Sequence, residues 1–336
     1  MAELSPDRII ETGLAFWSSK VLLSALEIDL FSELGKQPGN LNEVSQRVGL
    51  HVRGAEDFLD SLVALGLLDR VDGVYHNTAE TACFLDRNKP SYIGGILEHA
   101  NIELYPVWEK LTSALKTGKP QHAIRDTEND IFFSLYESEE KIAQFMRAMS
   151  GYSRASNGCI ARQFPWSEYQ SFVDVGAAGG DLAVQIAGTH PHLNGIGFDL
   201  EEVAPCFQKN IASNQLGERL CFVAGDFFCD PLPETEVILM GHILHDWDME
   251  KKRLLLKKAY EALPAGGALV VYESLIDDDR CENSFGLLMS LNMLVRTQGG
   301  FDFTGSDCCR WMKEAGFRNT RVEHLQGPDS MVVAVK

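Results

Sequence analysis

Most of the side chains able to do chemistry stand at the ends of short apolar segments in the second half of the chain. Phe172-Val173-Asp174-Val175 runs into Gly176-Ala177-Ala178-Gly179-Gly180, and a helix follows from Leu182 to Ala187. Small residues let a backbone approach a ligand closely, and a helix N-terminus favours negative charge. Asp199 ends the next apolar segment, Ile196–Asp199, at close to the roughly 20-residue spacing from Gly176 at which a carboxylate takes a ribose diol. Asp226, in Gly225-Asp226-Phe227-Phe228, ends the third segment, Leu220–Ala224; it suits an adenine amino group, with Phe227 covering the ring. Each acid alone is more often a solvated loop residue. Three at successive strand ends point to a nucleotide-type ligand, because open sheets bind ligands there. The dinucleotide pattern GxGxxG is not met, since Ala178 occupies the second glycine.

The fourth segment ends in Met240-Gly241-His242-Ile243-Leu244-His245-Asp246-Trp247. His245 is placed to act as a general base, mostly neutral at pH 7 with a reference pKa near 6.5. Glu273, ending the fifth segment, is expected to orient the imidazole through its other nitrogen. Asp302, after Gly299-Gly300, is placed to help in the same way. A nicotinamide oxidoreductase remains an alternative, disfavoured by Ala178. So does a metal enzyme using His242, His245 and Cys308 or Cys309, although spacing defines no third ligand.

The elements that must carry these residues alternate: strands at Phe172–Val175, Ile196–Asp199, Leu220–Ala224, Val237–Met240 and Ala268–Glu273, with helices between. This predicts an α/β, doubly wound parallel sheet. Thr320–Leu325 and Met331–Val335, joined by a short Gly-Pro-Asp turn, predict an antiparallel last strand. Residues 1–35 are predicted helical from Ile9, Leu14, Phe16, Trp17, Val21 and Leu22. So many apolar residues need a partner surface, either a second subunit or the rest of the chain. Residues 41–78 show two helices and a hairpin at Asp72-Gly73, a winged-helix pattern. Residues 100–163 are again helical, with a break near Pro120. The expected domains are 1–100, 101–165 as a helical connector contributing to the substrate pocket, and 166–336.

Thirty Lys and Arg against 48 Asp and Glu give a net charge of −18 over 336 residues, which disfavours a nucleic-acid partner. The winged-helix segment agrees: its would-be recognition helix carries Glu56, Asp57 and Asp60. Hence a ligand-responsive regulator is disfavoured against a dimerisation scaffold. No run of about 18 apolar residues occurs, so no membrane span is expected. The first residues lack a signal-peptide pattern, and the eight cysteines form no CxxC pair; a reduced, cytoplasmic protein is expected.

With these residues in view, the chain resembles the class I S-adenosylmethionine-dependent O-methyltransferases of the dimeric small-molecule group, which includes the acetylserotonin and plant caffeate and flavonoid enzymes. The resemblance rests on Val173-Asp174-Val175-Gly176, Gly225-Asp226-Phe227-Phe228, Leu244-His245-Asp246-Trp247, Tyr272-Glu273-Ser274 and Ser290-Leu291-Asn292-Met293-Leu294-Val295, and it spans essentially the whole chain. It implies a Rossmann-like methyltransferase domain behind an N-terminal, mostly helical winged-helix dimerisation domain. It implies S-adenosylmethionine as methyl donor, S-adenosylhomocysteine as product, a homodimer, and the phenolic or indolic hydroxyl of a small aromatic acceptor. Carboxyl, nitrogen or carbon acceptors, or loss of methyl transfer, are the alternatives within the same fold. The catalytic positions implied are His245, Glu273 and Asp302. Cofactor contacts fall on Ser153, Asp174, Gly176, Gly179, Asp199, Leu200, Asp226, Phe227 and Gly241, with no metal ligands. Acceptor contacts fall on Phe145, Met149, His242, Asp246, Asn292 and Met293; helix core accounts for Phe145 and Met149 equally well. Three positions depart from the plant pattern: Gly241 replaces a basic residue, Ala177 and Ala178 replace glycines, and Asp302 is shorter than the usual glutamate. An ordinary phenol and an ordinary imidazole differ by about 3.5 pKa units, so full proton transfer between them costs about 5 kcal/mol.

Overall fold

The computed structural model describes residues 4–121 and 139–336. The expected helical stretch 100–163 therefore lies partly outside the described residues. The chain divides into two compact units, Met1–Pro106 and Val107–Lys336. The division comes once, after Pro106; of the expected connector 101–165, residues 101–106 fall in the first unit, and the described residues 107–121 and 139–165 fall in the second.

In the first unit the helices Asp7–Glu27 and Leu30–Lys36 are separated at Asp29, whose φ of 57° interrupts the predicted continuous helix. The helices Leu41–Val48 and Val52–Ala64 follow, together with strands β1 (Gly39–Asn40), β2 (Leu68–Val71) and β3 (Val74–Asn77) in the order β1-β3-β2. Asn40 and Glu43 form a reciprocal capping box at the start of the first of these helices, and left-handed Gly49 ends it. Asp72 and Gly73 both take positive φ, as the hairpin requires. Leu26, Leu30, Phe31, Leu59, Leu62 and Tyr75 form the centre of its core. In the helix Asp7–Glu27, Ile9, Ile10, Leu14, Phe16 and Trp17 remain exposed. By length and composition alone that helix is long and apolar enough to cross a membrane: between Ile9 and Leu26 only Glu11 and Lys20 are charged.

The second unit holds a seven-stranded sheet. Its strands are β4 (Ser171–Val175), β5 (Asn194–Asp199), β6 (Leu220–Ala224), β7 (Val237–Gly241), β8 (Ala268–Glu273), β9 (Arg318–Gln326) and β10 (Asp329–Val335), in the order β6-β5-β4-β7-β8-β10-β9. Strands β4 to β8 run parallel, and β10 is antiparallel to both neighbours. Helices cover both faces, so the central strands are buried along almost their whole length and mostly apolar, with Asp174 and Glu273 as buried exceptions. Phe172, Leu239 and Val270 enter one core layer, while Val173, Ile238 and Leu269 enter the other. The chain leaves β4 towards β5 and β6, then returns to β7 on the other side. The β4–β7 gap is thus the topological switch point, where open sheets bind ligands.

Candidate active site

The glycine turn after β4 is shaped by its neighbours. Gly176, Ala178 and Gly180 all take positive φ, at 73°, 48° and 76°. A Cβ on Gly176 would also meet the Ile243 side chain, so its conformation and its close neighbour both favour glycine. Ala178 tolerates its left-handed conformation because its N–H donates to Asp199 Oδ2 at 2.8 Å. The other oxygen, Oδ1, accepts the Leu200 N–H at 2.8 Å. Asp199 thus holds the turn as well as ending β5, a role its spacing did not show. Burial pushes its carboxyl up to about 6, against the pull of those two backbone donors. Gly179 is anchored by its carbonyl, which accepts from Asn210 Nδ2 at 2.7 Å. The helix Asp181–Thr189 begins at Gly180 with no side-chain cap, leaving its first N–H groups available to an anion.

Asp174 is buried under this turn, and burial, reinforced by Asp199 and Asp181, pushes its carboxyl up to about 8. This shift favours the protonated carboxyl at neutral pH. After β6, Asp226 Oδ1 accepts the Phe228 N–H at 2.8 Å, and Phe227 packs edge-on to Phe228 and Trp247. An uncapped helix start, a buried carboxylate at the end of β5 and an aromatic ring after β6 suit, in turn, an amino-acid carboxylate, a ribose and a purine. The residues present fit S-adenosylmethionine. Its binding should weaken as pH falls through about 6, because protonated Asp199 loses acceptor capacity; calorimetry with S-adenosylhomocysteine from pH 8 to 5 reads this directly.

His245 lies in the short turn Leu244–Asp246 that follows β7, and it is 7% exposed. Its Nδ1 is 3.2 Å from Asp302 Oδ1 and 3.6 Å from Glu273 Oε2. Glu273 Oε1 accepts the His245 backbone N–H at 3.3 Å. This corrects the sequence expectation: Asp302 is the closer partner of the ring, and Glu273 bonds the backbone. The shorter aspartate reaches because Gly300 lets the loop run against the turn. A Cβ there would stand 2.6 Å from the His245 carbonyl and 2.7 Å from that of Asp246.

A second correction concerns charge. Burial by itself would lower the imidazole pKa, but Glu273, Asp302 and Asp246 outweigh it and push His245 up to about 10. The expected neutral imidazole is protonated in the free chain. Burial would raise Glu273, yet His245, His242 and the His245 N–H hold it below the usual carboxylate range. Burial raises Asp246, whose Oδ1 is 3.7 Å from His245 Nε2. His245, Glu273 and Asp302 also form a buried set with the donor atoms of metal ligands. It shares only His245 with the set proposed from sequence; burial pushes the Cys308 thiol well above its ordinary value.

His242 takes a left-handed φ of 53° and turns back to the sheet. Its Nδ1 is 3.5 Å from Glu273 Oε2 and its Nε2 3.8 Å from Asp329 Oδ2, between the rings of Tyr152 and Tyr272. Asp329 in turn accepts from Ser156 at 2.7 Å and Ser274 at 2.6 Å, and Ser274 meets the Tyr152 hydroxyl at 2.8 Å. Gly241 has a plain steric cause: a Cβ there would enter the Tyr272 ring, whose hydroxyl donates to Asn157 at 2.9 Å. A basic side chain at this position has no room.

The remaining positions come from two helices. In Glu139–Gln163, Ser153 is buried, Met149 is half-buried, and Phe145 packs with Ile142, Met146 and Val203 beside Ala178. In Ser284–Arg296, Asn292 and Met293 are buried, and Asn292 Oδ1 accepts the Trp108 indole N–H at 2.9 Å. Sequence reasoning missed Trp108, Tyr152, Lys252 and Asp329. Each looks like an ordinary helix or strand residue until the sheet assembles.

The O-methyltransferase domain model matches residues 108–318, and the O-methyltransferase dimerisation domain model matches residues 10–87. The chain is 41% identical to the tetracenomycin polyketide synthesis 8-O-methyl transferase TcmO of Streptomyces glaucescens, over 98% of this chain and 97% of that one. It is 36% identical to the N,N-dimethyltransferase OxyT of Streptomyces rimosus, over 98% and 96%. Its fold matches the crystal structure of human N-acetylserotonin methyltransferase in complex with S-adenosylmethionine, with a TM-score of 0.91 at 28% identity, covering 100% and 99% of the two chains. The sheet order, the turn geometry and these matches agree, and the chain belongs to the S-adenosylmethionine-dependent O-methyltransferase family, with that family's dimerisation domain at its N-terminal end.

Proposed function

We propose that this enzyme methylates a phenolic hydroxyl of a fused-ring aromatic acceptor, with His245 as the proton acceptor. The observation that carries this reading is the His245–Asp302–Glu273 group at the C-terminal edge of β7 and β8, beside the switch point. S-Adenosylmethionine supplies an electrophilic methyl group. The chain's own residues have three tasks. Asp199, the turn and the open helix start hold the donor. The pocket keeps acceptor oxygen and methyl carbon in line at near-attack distance. His245 takes the hydroxyl proton on Nε2, while Asp302 and Glu273 stabilise the imidazolium that results.

The raised basicity of His245 suits this task. With its pKa raised to about 10, His245 stands closer to a phenol, so the mismatch of about 5 kcal/mol for an ordinary imidazole narrows. The imidazole must first give up its own proton, so kcat should rise with pH through the alkaline range. The 41%-identical relative, a polyketide 8-O-methyl transferase, favours a phenolic acceptor of polyketide type, and the 36%-identical relative, an N,N-dimethyltransferase, makes an aromatic or aliphatic amine the competing class. Incubation with S-adenosylmethionine and three acceptor types — fused-ring phenols, hydroxyindoles and amines — followed by mass spectrometry decides between them. Formation of a phenolic methyl ether is expected; transfer confined to amines, or none at all, overturns the reading.

We assign the exposed apolar face of the helix Asp7–Glu27 to a homodimer. The pair Leu14→Asp and Trp17→Asp should then give a folded monomer by light scattering, and an unchanged particle mass would refute the assignment.

A further inference from the structure

Lys252 is 0% exposed, yet the proposed chemistry makes no use of it. It lies in the helix Met249–Ala262, next to exposed Arg253. Its ammonium donates to the Trp247 carbonyl at 2.5 Å and to the Phe301 carbonyl at 3.0 Å. It also sits 3.4 Å from the centre of the Phe301 ring and 5.6 Å from that of Phe303. The two carbonyls belong to the two segments that pack against each other beside His245. Trp247 closes the turn bearing His245, and Phe301 directly precedes Asp302.

We propose that Lys252 is a positioning residue for this reaction: its ammonium ties the His245 turn to the Asp302 loop and so sets the His245–Asp302 separation. The inference rests on the methyl-transfer reading above. Packing alone does not explain a lysine here, because burying a charge is costly and an apolar side chain of similar volume fills such a site at least as well. Two carbonyl acceptors and an aromatic face are what a buried ammonium needs.

Its electrostatic setting spans every element around it. Asp248 lies at the start of its own helix, Asp246 in the preceding turn, Glu273 at the end of β8, Asp302 on the loop, and Cys308 on the helix Gly305–Glu314. Burial lowers Lys252 to about 8, and the four carboxyl groups oppose that fall. The ammonium therefore also offsets part of the negative charge that raises His245.

The test is Lys252→Met, which keeps the volume and removes both bonds and the charge. With whichever acceptor the wild type methylates, kcat should fall at least about tenfold, about 1.4 kcal/mol, with KM for S-adenosylmethionine unchanged. In an Asp302→Ala background the same substitution should cause no further fall, because both act on one arrangement. Nitrogen-15 NMR of the S-adenosylhomocysteine complex gives a readout that needs no acceptor: the His245 titration should move to higher pH once the nearby cation is gone. Should the methionine variant fail to fold, Lys252→Gln, whose amide keeps two N–H donors but no charge, is read by the same His245 titration. A kcat within about twofold of wild type together with an unmoved His245 titration overturns the proposal, even if the melting temperature drops. Absence of any acceptor turnover in the wild type would defeat the functional reading instead, and the titration would still test Lys252.

Discussion

Replacing His245 by alanine should lower kcat by about 10²–10⁴-fold, the range in which a positioned acid or base contributes. Affinity for S-adenosylhomocysteine should not change, because the turn, Asp199 and the open helix start do not depend on the imidazole. Single-turnover kinetics and calorimetry on the same preparation separate the two effects. An unchanged kcat would remove His245 from the mechanism. The carboxyl partners should differ in kind. Asp302→Ala takes away the nearest Nδ1 partner and one of the groups that keep the imidazole protonated. The rise of kcat with pH should therefore begin at lower pH in that variant, while its plateau falls because the ring is less well held. Glu273→Ala should also disturb the backbone, since Glu273 Oε1 bonds the His245 N–H and Oε2 faces both imidazoles. We expect it to be the less stable of the two variants by thermal melting.

Asp199→Ala should weaken S-adenosylhomocysteine binding by about 10²–10⁴-fold. The estimate takes two ribose hydroxyls bonded to one charged acceptor at about 1.5–3 kcal/mol each. The loss has a second source in this chain. Without the carboxylate, the Ala178 N–H has no acceptor to hold a non-glycine residue at a φ of 48°. Asp199→Asn should not rescue binding. Its oxygen satisfies only one of the two backbone donors, and its amide nitrogen meets the other donor-to-donor. Calorimetry on both variants, with circular dichroism to verify folding, reads this. Binding within about threefold of wild type in Asp199→Ala would show that the ribose is held elsewhere.

Much of this was legible in the chain itself, for a local reason. Strand ends, the glycine turn and the Asp72-Gly73 hairpin are each specified within about ten residues, by side-chain alternation and by which residues tolerate positive φ. Hence β4 to β8 fall close to the predicted segments, and the antiparallel last strand follows from its short turn. The parallel order of these strands in turn brings Asp199, Asp226, His245 and Glu273 to one edge. Local patterning was weaker at Asp29, where a left-handed residue splits a helix that apolar spacing carried straight through.

The sequence by itself determined the class of sheet, the edge that carries the chemistry and the family whose motifs stand along that edge. The tertiary structure alone decided the pairings. His245 and Asp302 are 57 residues apart and Lys252 and Phe301 are 49 apart; nothing in local spacing says which carboxyl meets Nδ1 or which lysine is buried. It also decided the charge state: burial pulls His245 one way, three carboxyl groups from separate segments push it the other, and only their assembled distances determine which prevails. Gly241 shows the same division. In the chain it is a missing basic residue; in the fold it is the space that the Tyr272 ring occupies.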